Sequence, residues 1–279
     1  MAFDKNSNSF TFIFAIILVC VVGTTLAVAF LALKPAYDEN VRREKMQNIL
    51  AAMNVKVARD DAPAKFTESI SGSLLLDANG VVVDGSNRDK ASGKSEASPA
   101  FDMDVLKQYK DWKANVVKAE DMQYPVYLAN VEGHDLMVVP MIGTGLWGPV
   151  WGYVAIDKVD GRTIYGSTFD HKGETPGLGA EIATPIFIDQ FPGKTISEPD
   201  GTYTGIKVYK GGSMTTDPHG VDGISGGTIT SQGVDEMLMR TLAIYDVYFK
   251  QVVTKTVVPE PVVNISLSDT MAIDTLEIQ

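Results

Sequence analysis

From Asp222 to Thr230 the chain reads Asp-Gly-Ile-Ser-Gly-Gly-Thr-Ile-Thr, small residues running into a helix-forming segment, Ser231 to Lys250. In that segment Val234, Leu238, Leu242, Tyr245 and Phe249 recur at helical spacing and are expected to face a core. Thr230 or Ser231 serves as N-cap, and Asp235 and Glu236 fall in the first turns, where the helix dipole favours anions. A glycine-rich turn at a helix N-terminus presents backbone N–H groups that suit a phosphate. The Thr228 hydroxyl lies where such a phosphate can be reached, although the same cluster is also ordinary loop punctuation. A second stretch is His171-Lys-Gly-Glu174-Thr-Pro-Gly-Leu-Gly179-Ala-Glu181. Pro176-Gly177 predicts a type II turn, with glycine where φ must be positive. Such a loop either lays its backbone against a flat ring, with Leu178 as apolar contact and Glu174 or Thr175 as polar contact, or is a turn and nothing more.

Together, Glu174-Thr-Pro-Gly-Leu-Gly179 and Asp222-Gly-x-Ser-Gly-x-Thr228 resemble the bacterial FMN-binding domain family whose flavin is tied to protein through its phosphate. That family includes the C subunit of the sodium-translocating NADH:quinone reductase and the G subunit of the related Rnf complex. The resemblance implies that Thr228 carries FMN as a phosphoester. It implies a cofactor site formed by Asp222, Ser225, Gly226 and Gly227 with Glu174, Thr175, Gly177, Leu178 and Gly179. Gly227 stands where the family usually has Ala, which keeps the site small and loosens the backbone. Gly145-Leu146-Trp147-Gly148-Pro149 resembles the glycine-tryptophan turn of the quinone reductase member more than its Rnf counterpart. Leu146 and Trp147 then touch the flavin, or the turn is a plain hairpin with Trp147 in the core.

A threonine hydroxyl is a poor nucleophile without a base. No His or Cys flanks Thr228, and Asp222 is the only carboxylate close in sequence. The resemblance implies instead a separate flavin transferase that takes FMN from FAD, and the small Gly226-Gly227 turn would admit it. Once formed, the phosphodiester keeps about one negative charge, stabilised by the helix N-terminus and by Lys210, unless Lys210 is only a solvated strand-end charge. The protein's tasks are then to hold the flavin, tune it and shield it. With no nicotinamide fingerprint, catalytic triad or metal-ligand spacing in view, no catalytic or metal residue is assigned. The chain reads as an electron-carrying subunit rather than a complete enzyme.

Over 279 residues the net charge of −11 argues against a nucleic-acid partner, which would want a basic face. Cys20 is the single cysteine, which rules out an internal disulfide and a thiolate metal site. Phe10 to Leu33 runs without a charge for about 24 residues, ~36 Å of helix, enough to span a bilayer. Lys5 precedes the span while Lys34, Arg42, Arg43 and Lys45 follow it, so charge counting leaves the large domain in the cytoplasm. The resemblance implies the opposite, a single-pass protein of the cytoplasmic (inner) membrane whose FMN domain is extracytoplasmic. Long domains translocate despite such charges, and that orientation is the one adopted.

The remaining elements follow the chain. Pro35 to about Val57 predicts a stalk or packing helix with Val41, Ile49, Leu50 and Met53 on one side. Asn79-Gly80 predicts a hairpin turn between short strands in 71–84, and 85–99 a surface loop. Val105, Leu106, Tyr109 and Trp112 predict a short helix, and strands are expected at 124–129, 136–142, 150–157, 162–169 and 202–209. Gly143-Thr-Gly-Leu-Trp-Gly148 matches the dinucleotide fingerprint by letter. It is rejected because a strand, not a helix, follows Pro149. The fold class is α+β: one N-terminal transmembrane helix, then an FMN-binding domain of antiparallel strands with packed helices. The expected division is 1–9 cytoplasmic, 10–33 transmembrane, 34–129 a stalk helix and membrane-distal α+β region, 130–250 the FMN-binding domain and 251–279 a tail. The implied function is FMN-borne electron transfer from NADH toward quinone, coupled to sodium export. It would involve the other reductase subunits, the transferase and membrane lipid as partners. The alternatives are the Rnf member of the family and, in a different class, a membrane-anchored binding module without flavin.

Overall fold

The computed structural model describes residues 8–87, 98–212 and 215–257. The apolar run opens a single helix, α1 (Asn8–Ala52), which continues through Pro35 rather than breaking into a span and a separate stalk. Proline forfeits one backbone bond, and the ion pairs Lys34–Asp38 and Glu39–Arg43 brace the turns that follow. Asn54, at φ +62°, stops the helix. Val41 stays exposed, whereas Met46, Ile49, Leu50 and Met53 are buried.

A short helix α2 (Ala62–Ser69) leads into a six-stranded antiparallel sheet. Its strands are β1 (Ile70–Leu76), β2 (Val82–Asn87), β3 (Tyr124–Val131), β4 (His134–Thr144), β5 (Pro149–Asp157) and β6 (Ile164–His171), in spatial order β2-β1-β3-β4-β5-β6. The β1–β2 turn has Gly80 at φ +72°, as Asn-Gly demands. Residues 34–129 and 130–250 thus share one sheet, and residue 130 lies inside β3. Between β2 and β3 come α3 (Pro99–Asp102), capped by Ser98, and α4 (Val105–Lys113). Of the surface loop expected at 85–99, residues 88–97 lie outside the described residues.

Strand alternation sends side chains to two faces. Tyr127, Ala129, Leu136, Val138, Tyr153 and Ala155 pack on α1, α2 and α3. Val126, Met137, Val139, Met141, Val154 and Ile156 pack on the last helix, α6 (Thr228–Val257), through Val234, Leu238, Leu242, Tyr245 and Phe249. All five of those α6 side chains are fully buried. Each contributes roughly 1.5–3 kcal/mol by area removed from water. The sheet is therefore clad by helix on both sides.

After β6 the chain passes through a 3-10 turn (Gly179–Ala183) and α5 (Pro185–Ile188), then a small parallel pair, β7 (Lys207–Tyr209) and β8 (Gly220–Asp222). The strand expected at 202–209 is cut to its last residues, because Gly205 turns the backbone at φ +70°. Thr204 and Gly205 both donate to the Ile196 carbonyl. Two expectations for α6 are also corrected. The helix begins at Thr228, not Ser231, and it runs past Lys250 to Val257, so the tail of interest shrinks to 258–279, outside the described residues.

One geometric relation matters for the site. Residues Tyr37 to Asn48 of α1 border a cleft with Pro140–Ile142 and Trp151–Tyr153, while the Ala52 carbonyl lies against Gly166, the partner of Ala155. The turn joining β4 to β5 therefore sits at the end of the sheet from which α1 departs toward its apolar segment.

Candidate functional site

Three backbone segments meet at that end of the sheet: the β4–β5 turn, the loop after β6, and the turn that feeds α6. The first turn is closed by Gly145 N–H donating to the Gly148 carbonyl at 2.8 Å, a strand–turn–strand that presents no helix N-terminus. It holds Leu146 and Trp147 outward, 50% and 68% exposed. A core position for Trp147 is thereby excluded, because the tight turn throws its side chain away from the sheet.

The loop after β6 forms the expected type II turn. Leu178 N–H donates to the Thr175 carbonyl at 3.1 Å with Gly177 at φ +76°. Thr175 is exposed and Leu178 is half-exposed at 42%, while Gly179 is buried. A methyl on Gly177 would meet no protein atom within 4 Å, so the outer face of this turn is open.

The third segment places the motif threonine. Gly227 takes the capping position: its N–H donates to the Ile224 carbonyl and its carbonyl accepts from Ser231 N–H, both at 2.9 Å. Thr228 is consequently the first helical residue, exposed, at a terminus whose leading N–H groups lack intrahelical partners. Neither Thr230 nor Ser231 acts as the cap. The Ser231 hydroxyl accepts from Ile224 N–H at 2.9 Å, and Thr230 turns into the protein. Asp235, two turns in, accepts from Val208 N–H at 2.7 Å and ties the helix to β7 instead of neutralising its first turn. Ser225 and Gly226 are exposed, and a methyl on Gly226 would lie 2.7 Å from Leu178 Cδ2. On Gly227 it would lie 3.2 Å from Gly179 N. The two sequence motifs are thus in van der Waals contact.

Glu174 joins all three segments. It is 4% exposed. Its Oε2 accepts from the Thr230 hydroxyl at 2.5 Å and its Oε1 from Trp147 N–H at 2.8 Å. Side chains are excluded where the carboxylate lies: a Cβ on Gly145 would come within 2.7 Å of Oε1, and one on Gly179 within 2.6 Å of Oε2. The backbone N–H of Glu174 in turn donates to His171 Nδ1 at 3.1 Å.

Asp222, the carboxylate nearest Thr228 in sequence, is engaged elsewhere. Its Oδ1 accepts from Thr215 N–H at 3.2 Å, and its backbone N–H and carbonyl bond the Gln190 amide at 2.7 and 3.1 Å. Lys210 is exposed just past β7, whose last carbonyl, that of Tyr209, accepts from Gly223 N–H at 2.9 Å. It therefore stands beside the motif's opening residues. Below the site, Gly233 meets the Thr144 carbonyl so closely that no side chain fits between, and Arg240 donates to the Ile142 carbonyl at 2.7 Å. Sequence alone placed Gly145 in the turn and Thr230 at the helix start but not against Glu174, and it missed Gly233. The Glu174–Thr230 contact spans 56 residues, and no spacing rule reaches that far.

The arrangement offers an exposed hydroxyl at a positive helix end beside exposed apolar groups, Leu146, Trp147, Leu178 and Ile229. That donor set suits a phosphate-bearing planar aromatic group. Residues 145–243 match the FMN-binding domain family. Along most of its length the chain is similar to the C subunit of the Na(+)-translocating NADH-quinone reductase of Yersinia pestis, 34% identical over 251 residues, covering 84% of this chain and 90% of the relative. The Haemophilus ducreyi counterpart of that relative is 35% identical over 237 residues, with 84% and 89% covered. Among solved structures, that of the C subunit from Parabacteroides distasonis superposes with a TM-score of 0.64 at 40% identity, covering 78% of this chain and 96% of that one. The NqrC structure of Shewanella oneidensis gives 0.55 at 27%, covering 76% and 97%.

Proposed function

Because the chain belongs to the family formed by the C subunit of the Na(+)-translocating NADH-quinone reductase, we propose that it serves that complex as its FMN-carrying electron-transfer subunit. It is one part of an oxidoreductase whose other subunits are its partners. The observation that carries the cofactor assignment is the convergence, inside the FMN-binding domain match, of both motifs and the Leu146-Trp147 turn on one exposed surface. The Rnf member of the family is not favoured, since the relatives that align along the chain carry the name of the quinone reductase. A binding module without flavin would leave that family match unexplained.

Bound FMN supplies the reversible electron uptake and release on which the complex depends. In the proposed arrangement the phosphate is esterified to Thr228 Oγ1, and the α6 N-terminus, with Lys210, faces its remaining charge. Leu146, Trp147 and Leu178, all exposed, would provide apolar surface for the ring. Gly226, exposed, adds no side chain beside Thr228, while Gly227 is buried. Glu174 is not the base toward Thr228 in this reading, because both its oxygens already accept hydrogen bonds. A separate flavin transferase is therefore proposed to form the ester.

The apolar part of α1 is long enough to cross a membrane. We place it in the cytoplasmic membrane among lipid, with the FMN domain on the periplasmic side. The test of attachment is in-gel fluorescence of the denatured chain, since covalent flavin alone survives denaturation. Thr228→Ala is expected to abolish the fluorescent band while the chain still folds, because an exposed residue contributes little packing. Thr228→Ser is expected to retain part of it. Peptide mass mapping that places the flavin on Thr230 would overturn the assignment.

A further inference from the structure

We propose that Glu174 is a positioning residue: its one carboxylate holds the Trp147 turn against the first turn of α6, and so keeps the ring side and the phosphate side of the flavin site in register. The inference rests on the reading that FMN is carried on Thr228 beside Trp147.

From the sequence, Glu174 is a polar contact for the cofactor. The fold gives it a different occupation. One oxygen is held by Thr230, two residues from the attachment point, and the other by the backbone of Trp147. Both bonds run to segments that Glu174 does not belong to, and at 4% exposure no water replaces them. Burying a carboxylate is costly unless it is hydrogen-bonded, and here a hydroxyl, a main-chain N–H and the positive end of α6 supply the compensation. Gly145 and Gly179 leave the carboxylate its room, since a side chain at either would strike it. The arrangement thus commits an anion and two glycines to fixing the distance between the Trp147 turn and the helix that carries Thr228. Without it, the turn would be tied to α6 through its own hairpin closure and the Gly233–Thr144 crossing below.

The test uses the full chain in detergent, carrying flavin, with Glu174→Ala, Glu174→Gln and Thr230→Val. Two readouts are taken: hydrogen exchange at the Trp147 amide and the visible circular dichroism of the flavin. Glutamine has the same shape and can accept from Trp147 N–H while donating to the Thr230 oxygen. Glu174→Ala is expected to speed exchange at Trp147 by roughly tenfold, the loss of one buried hydrogen bond, and to collapse the flavin dichroism. Glu174→Gln is expected to restore both. Thr230→Val is expected to weaken the dichroism and leave Trp147 protected. The proposal is overturned if Glu174→Ala changes neither readout. It is equally overturned if Glu174→Gln keeps Trp147 protected but loses the dichroism as alanine does, which would make the charge, not the geometry, decisive. Should Glu174→Ala fail to fold, the glutamine and valine variants decide alone. Failure of the attachment reading looks different: the wild-type chain shows no flavin on Thr228 after denaturation, while exchange at Trp147 in the folded chain still reports the Glu174 contact.

Discussion

At the scale of single residues, the glycines of the site divide by what a methyl group would meet. At Gly226 the backbone sits at φ +78° and the methyl strikes Leu178, so Gly226→Ala is expected to destabilise by about 1 kcal/mol or more and to displace that side chain. Gly227 has no such backbone demand, and its methyl would meet Ile224 Cβ at 3.1 Å and Gly179 N at 3.2 Å. A shift of a few tenths of an ångström accommodates it, so Gly227→Ala is expected to stay within about 1 kcal/mol of wild type and to keep covalent flavin. Denaturant midpoints with in-gel fluorescence check both. The family's usual alanine is therefore compatible with this backbone, and the glycine here is a local variation rather than a different site.

At the scale of elements, α6 is set by the crossing of Gly233 over Thr144, which brings the helix N-terminus level with the β4–β5 turn. Gly233→Ala forces the two apart and is expected to cost about 1–3 kcal/mol, the usual penalty of overpacking, read from the denaturant midpoint. On the opposite face α1 carries Lys45, whose ammonium donates to the Phe101 and Met103 carbonyls and lies 4.8 Å from the Phe101 ring centre. Burial lowers its pKa from 10.5 to about 8, against the opposing pull of Asp102 and Asp104. Below pH 8 the folded and unfolded chains both hold that proton, and above 10.5 neither does. Between the two, only the unfolded chain holds it, so the folded state gains stability as the pH rises through that window and loses it as the pH falls from 10.5 toward 8. Wild type is expected to lose stability relative to Lys45→Met as the pH falls from 10 to 7, because the folded chain must then take up a proton at a buried site. Parallel denaturation of the two chains at pH 7 and 10 is the measurement, with groups common to both cancelling.

At the scale of the whole molecule, one helix joins the apolar segment to the sheet without a break, so the orientation of the segment also fixes which side the flavin surface faces. Charge counting leaves the domain in the cytoplasm, and the proposed orientation is the opposite one. A reporter fused after Val257 is expected to be active only outside the cytoplasm. Cytoplasmic activity would instead show that Lys34, Arg42, Arg43 and Lys45 govern topology and would put the flavin domain on the cytoplasmic side.

Local chemistry made much of this legible without coordinates. An uncharged run of that length reads as a helix long and apolar enough to cross a membrane, Asn79-Gly80 must turn, and Pro149 denies a helix to the fingerprint before it. The five apolar residues of α6 declare a core by spacing alone, and the two motifs point by resemblance to the FMN-binding domain family that residues 145–243 match. Where local rules compete, the sequence was silent or misleading. Thr228, Thr230 and Ser231 are all acceptable near a helix start, and only the capping of the turn by Gly227 decides that the helix begins at Thr228. Trp147 is apolar enough for a core, and only the tight Gly145–Gly148 closure turns it outward. Glu174 reads as a surface carboxylate until two distant segments close over it. Its role depends on which chain segments the antiparallel sheet brings to one end, a property of the packing of the whole chain that no neighbouring residue encodes.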